Sequence, residues 1–175
     1  FRSAPTALKS DGTRMLGETH DPLANYYQST EQHCPGNAGL FSTARDLSIF
    51  CQMILNEGAY GGQRVFKPET IRMMTSPQST LPTYDPKTQG PGGNSRRGLG
   101  WIVYLDTPYN HPAAADGSFI GHTGYTGTYA WIDKNSGSFI VYVANAVYSK
   151  DPPQINDSRR EVTTAFLEGL YPSSQ

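Results

Sequence analysis

The residues best equipped for chemistry in this chain are His122, Thr123 and Gly124, followed by the backbone N–H of Tyr125. They open the stretch GHTGYTGTYAWIDKNSGSFIVYVANAVY, residues 121–148. An imidazole that changes charge near neutral pH, a hydroxyl and a backbone without Cβ can together hold an anionic or polarised group at a sheet edge. Glycines at 121 and 124 permit close approach of a ligand. An N–H at such a place can serve as one half of an oxyanion hole. Composition alone equally describes a plain strand-end turn with a surface histidine.

Other reactive side chains are poorly placed for independent chemistry. Ser42 in GLFSTA departs from GxSxG and stands before a helix, where it reads as a capping residue rather than a nucleophile. His20 and Asp21 are adjacent, and a triad needs geometry rather than proximity along the chain. The histidines at 20, 33, 111 and 122 show neither HExxH nor a His/Cys zinc spacing, so no metal or cofactor is expected. Tyr26, Tyr27, Tyr104 and Tyr109 read as core or rim aromatics. Cys51 follows Leu47 by four residues on a helical face and reads as a buried free thiol, with a Cys34–Cys51 bridge left open.

The elements that must position these residues follow from periodicity. Strands are expected at Tyr129–Ile132 and Phe139–Ala144, joined by a turn over 133–137. Both faces of Phe139–Ala144 are apolar, which places it centrally, covered on two sides. Gly98–Leu105 and Ser118–Gly121 also read as strands. Thr43 caps a helix over 44–57 that Gly58 stops, and Pro68 opens a short helix with Ile71 and Met74. Ser158 to Glu161 forms a capping box, and Val162, Ala165, Phe166, Gly169 and Leu170 make the apolar stripe of a C-terminal helix. Residues 1–38 read as a loop-rich arm, 36–41 as a tight bend, and 76–96 as a long loop. The whole is an α+β arrangement, an antiparallel sheet flanked by helices.

Bulk properties narrow the function classes. The 175 residues suffice for one domain with a core. A net charge of −1 without a Lys/Arg run argues against nucleic acid. The longest apolar run, 139–147, is interrupted by Asn145 and too short to span a bilayer. With Phe at position 1, the chain reads as a fragment, a mature form or a recombinant piece.

The blocks GNAGLFSTARDLSIFCQMILNEG, KPETIRMMTS, RGLGW, GHTGYTGT and VANAVY occur in that order. This succession resembles the C-terminal part of the serine β-lactamase-like family, which includes class C β-lactamases, penicillin-binding-protein-like peptidases and esterases. The resemblance implies that residues 1–175 are a single partial domain of the β-lactamase/transpeptidase-like fold, its N-terminal helical region and nucleophile motif lying upstream. It also implies that His122, Thr123 and Gly124 match the family's Lys-Thr-Gly or His-x-Gly motif. His122 and the Tyr125 N–H, the second oxyanion donor, would then be catalytic, Thr123 and Gly124 would meet substrate, and Asn145 would help bind its acidic end.

The chain departs from the family in containing neither Ser-x-x-Lys nor Tyr-x-Asn nor Ser-x-Asn, and in having Asn37 where His is frequent. The expected function is therefore a serine-hydrolase fragment whose parent acts through an acyl-enzyme on β-lactam, D-amino-acid peptide or ester substrates. The isolated chain is expected to be inactive. The alternative is a non-catalytic binding module. Expected partners are the parent's small-molecule or peptide substrate, and a second copy or the chain's own N-terminal half. The family implies an extracytoplasmic location.

Overall fold

The computed structural model describes residues 3–30, 36–85, 90–105, 118–149 and 155–172. In chain order the elements are β1 (Pro5–Leu8), β2 (Arg14–Leu16), α1 (Pro22–Thr30), α2 (Ala44–Leu55), β3 (Ala59–Tyr60), β4 (Gln63–Arg64) and α3 (Pro68–Met74). They continue with β5 (Ser79–Asp85), β6 (Gly90–Arg97), β7 (Ile102–Leu105), β8 (Phe119–Thr123), β9 (Tyr129–Asp133), β10 (Ser138–Tyr142), a 3₁₀ turn (Ala146–Tyr148) and α4 (Ile155–Leu170). Strands β5 to β10 form one six-stranded antiparallel sheet in sequential order. The α+β reading holds.

Alternation along the strands sorts side chains onto two faces. Trp101, Val103, Ile120 and Ile132 face one way and pack with Cys51, Met53 and Ile54 of α2 and Ile71 of α3. Ile102, Phe119, Tyr129 and Trp131 face the other way and pack with Leu167 of α4. Helix α2 begins where the sequence places it: the Thr43 hydroxyl accepts from Asp46 N–H at 3.1 Å. Its last residue is Leu55, and the main chain passes beyond it through Gly58 at positive φ.

Four expectations are corrected. Strand β10 is two-faced, with Phe139 and Val141 against the α2 cluster and Ile140 and Tyr142 against the α4 cluster. It is nonetheless the end of the described sheet, paired only with β9. A strand between two helical layers shows apolar residues on both faces wherever it lies in the sheet, so periodicity alone could not place it centrally.

Residues 76–96, expected to be a loop, supply most of the β5–β6 hairpin. Pro82 is tolerated because β5 is an edge strand and its register shifts between Pro82 and Tyr84. The arm over 1–38 contains the β1–β2 hairpin and α1. Asp21 starts α1, its carboxylate accepting from Ala24 N–H at 2.8 Å, with Pro22 in the first turn.

Helix α4 begins at Ile155, so Ser158 sits within it rather than capping it. Its inward face is Arg159, Thr163 and Leu167, with Phe166 of the expected stripe packed beside them and Leu170 half-buried, whereas Val162, Ala165 and Gly169 face solvent. A buried arginine and threonine on the inner face hid that face from a search for apolar spacing. The expectations for His33, Cys34, His111 and Tyr109 lie outside the described residues, as does the Tyr104 side chain.

Candidate functional site

His122 and Thr123 are the last two residues of β8, paired across to Ala130 and Tyr129 of β9. Their strand continues into a turn in which Gly124 N–H donates to Thr128 O at 2.7 Å and Gly127 N–H donates to Gly124 O at 3.1 Å. Tyr125 N–H makes no hydrogen bond among the described residues. Among the described residues the turn thus presents unbonded main-chain donors at Tyr125, Thr126 and Thr128, the first of them following an exposed imidazole and a half-buried threonine.

The glycines serve packing as well as access. A Cβ at Gly121 would collide with Ala130 O and the Trp131 ring, so this position lets the indole lie across β8. A Cβ at Gly124 would collide with Thr128 Oγ1. The close approach expected at Gly121 is therefore made by the protein's own indole.

Both nitrogens of His122 are engaged. Nδ1 lies 2.7 Å from Thr123 O, and Nε2 lies 3.2 Å from Arg97 Nη1. A carbonyl only accepts and a guanidinium only donates, so this arrangement requires the neutral ring with its proton on Nδ1. Arg97 arrives from β6, two strands away, in register with Ile102 of β7, which pairs with Gly121. Its Nε is buried and has no partner among the described residues. The permanent positive charge at this corner is thus a guanidinium. Sequence reasoning missed it because 25 residues separate Arg97 from His122 and only sheet pairing joins them.

The N-terminal arm reaches the same place. The His20 ring stacks on Tyr125, with centroids 5.3 Å apart and planes at 26°. His20 is positioned by the arm: Thr19 N–H donates to Gln28 Oε1 at 2.9 Å, and Asn25 Nδ2 donates to Thr19 O at 3.1 Å. Asn145 lies behind the turn. Its Nδ2 donates to Pro5 O of β1, its Oδ1 is buried without a partner among the described residues, and the next residue's N–H donates to Thr126 O at 2.8 Å. The amide donor of Asn145 is thereby committed to anchoring the arm.

Ser42 is exposed one residue ahead of the actual cap, Thr43, and Asp21 is committed to α1. Cys51 is a buried free thiol, and burial raises its pKa from 9.0 to about 11, which suppresses the thiolate. A cavity of about 530 Å³ lies between α2, α3 and the sheet, lined by Ile54, Ile71, Arg72, Thr75 and Lys134 among others. None of His122, Thr123, Gly124, Tyr125 or Asn145 lines it; His122 and Tyr125 stand on an exposed rim. Among the described residues no cluster of His, Cys, Asp and Glu could hold a metal, and no helix is long and apolar enough to cross a membrane.

A family model described as Beta-lactamase matches residues 2–164. The chain is 35% identical over 119 residues to the "N-acetylmuramyl-L-alanine amidase" of Bacillus subtilis (strain 168), covering 68% of this chain and 24% of that protein. It is 33% identical over 138 residues to the "Putative D-alanyl-D-alanine carboxypeptidase" of Escherichia coli (strain K12), covering 77% of this chain and 28% of that protein. The chain therefore spans about a quarter of the length of these curated relatives. Among solved structures, the "Putative 6-aminohexanoate-dimer hydrolase from Bacillus anthracis" superposes with a TM-score of 0.51 at 21% identity, over 78% of this chain and 31% of that one. At that identity the likeness speaks for the fold alone.

Proposed function

Because the chain belongs to the beta-lactamase family, we propose that it forms one wall of an acyl-transfer site in a serine hydrolase. In this reading the nucleophile and its base come from polypeptide upstream of Phe1. The observation that carries it is the Tyr125 N–H, unbonded among the described residues, at the end of β8 beside Thr123 and the His122–Arg97 pair. A fixed donor of this kind can stabilise the negative charge that develops on a carbonyl oxygen when a serine attacks it. Attack forms the Ser–O–C bond, expulsion of the amine or alcohol gives the acyl-enzyme, and water then hydrolyses that ester.

Each residue has a role on this reading. Tyr125 N–H is one of two oxyanion donors, and Thr123 and Gly124 border the substrate. His122 is a neutral spacer that accepts from Arg97, and the Arg97 guanidinium supplies the cation that an acidic substrate end meets. Asn145 acts by holding β1 and the turn together. Substrates are β-lactams, D-amino-acid peptides or esters, and the protein works outside the cytoplasm. The open edge of β10, unpaired among the described residues, takes up the upstream part of the chain or a second copy.

A non-catalytic binding module is the second reading, favoured by the lack of Ser-x-x-Lys within the 175 residues. One experiment separates the two. The isolated chain is expected to leave a chromogenic cephalosporin and a p-nitrophenyl ester untouched, and co-expression with its upstream segment is expected to restore turnover. No turnover from the reunited halves supports the binding module. Turnover by the isolated chain that Ser42→Ala abolishes defeats the proposal in favour of an internal nucleophile.

A further inference from the structure

The most buried charged side chain at this corner lies on α4, outside every motif block of the sequence. Arg159 is 8% exposed, and no carboxylate is among its partners in the described residues. Its Nε donates to Gly127 O at 3.1 Å, Nη2 donates to both Gly124 O and, at 3.2 Å, Thr128 O, and Nη1 donates to Asn156 Oδ1 at 3.3 Å. A guanidinium is costly to desolvate without a counter-anion, and a helix needing only sheet contact would use an apolar residue here. Three of these four acceptors are carbonyls of the single turn that carries the candidate oxyanion donor.

The Gly124 carbonyl and the Tyr125 N–H belong to the same peptide group. That group is planar and trans, so its C=O and N–H point in opposite directions. The carbonyl accepts from Gly127 N–H within the turn and from Arg159 across to α4, and holding it there holds the N–H towards the opposite side, where it makes no bond among the described residues. A cationic donor on the oxygen also draws electron density from the nitrogen and strengthens the N–H as a donor.

We infer that Arg159 is a positioning residue that aims and polarises the Tyr125 N–H through the Gly124 carbonyl. The inference rests on the reading of that N–H as an oxyanion donor. It adds a residue that touches neither substrate nor reacting atoms, 35 positions from the carbonyl it holds.

The test uses the full-length protein labelled with ¹⁵N-tyrosine, the Tyr125 amide being assigned by the peak that Tyr125→Phe removes. Arg159→Met is expected to move that amide proton upfield and to lower kcat on a p-nitrophenyl ester about 10- to 100-fold at nearly constant KM, a fraction of the loss of a whole donor. The acyl-enzyme carbonyl stretch is expected to rise in frequency as the oxygen loses its donor. Arg159→Lys, which keeps one carbonyl contact, is expected to fall between wild type and Arg159→Met. It carries the test if the methionine variant does not fold. Thr163→Val, on the same buried helix face, is expected to leave the amide and kcat unchanged.

An unmoved Tyr125 amide in both Arg159 variants overturns the inference whatever the turnover. An amide that moves while kcat and the carbonyl stretch stay fixed leaves the clamp standing and removes Tyr125 from the oxyanion role, so the two readings fail separately.

Discussion

The two faces of the sheet are held by different physics. Against α2, the buried residues are almost all apolar: Cys51, Ile54, Ile71, Val103, Ile120 and Ile132 interlock without a hydrogen bond between their side chains. Against α4, the buried layer is aromatic and polar. Phe119 stacks on Trp131 and Tyr129 on Tyr142, Thr163 bonds Tyr129 OH, Asp133 accepts from Tyr171, and Arg159 grips the turn. Non-directional packing tolerates small shifts, whereas hydrogen bonds fix distance and angle. The face that, on the proposed function, holds the oxyanion donor in place is the one built from directional contacts.

The largest expected effect breaks the apolar face. Ile132 is fully buried, and Ile132→Ala removes its outer carbons from a packed layer. Denaturant unfolding should show a loss of about 2–5 kcal/mol, with the Tyr125 amide unmoved. If the amide moves as far as it does in Arg159→Met, the two faces are not independent.

A smaller loss comes from the polar face. Tyr171→Phe deletes one donor to the Asp133 carboxylate, which is 1% exposed and keeps Asn135 N–H at 3.2 Å and Ser136 N–H at 3.3 Å. The expected cost is about 1–3 kcal/mol. A change indistinguishable from zero would show that this carboxylate finds water and that the polar layer is looser than its geometry implies.

The smallest effect is confined to alkaline solution. The Cys51 pKa is raised from 9.0 to about 11, so the folded chain holds its thiol proton more tightly than the unfolded chain does. Its contribution is full below about pH 9 and is lost as pH climbs through about 11. At pH 8 a thiol reagent should modify Cys51 slowly in the native chain and rapidly in denaturant; equal rates would place the thiol at the surface rather than in the α2 layer.

Legibility in the sequence follows the same division. Leu47, Cys51 and Ile54 made α2 readable because apolar spacing is a local property, and Thr43 with Asp46 marked its start. The β9–β10 hairpin was readable from two alternating runs around turn residues. Helix α1 could have been read from Asp21-Pro22, a cap followed by a preorganised first turn. The α4 face was misread because its inward positions are Arg159 and Thr163, residues whose burial depends on partners elsewhere. Strands β5 and β6 were hidden by Pro and Gly, which weaken a strand pattern without forbidding a hairpin at a sheet edge.

By itself the sequence determined that residues 122–125 carry a motif, that the fold is α+β, and that α2 buries one apolar face. These depend on residue type and on spacing along one segment. Only the tertiary structure decided that Arg97 fixes the His122 tautomer, that Asn145 anchors β1, and that Arg159 holds the peptide whose N–H is Tyr125's. Those contacts join residues 25 to 140 positions apart, and a hydrogen bond across such a separation is set by strand register and helix rotation, which no local pattern encodes.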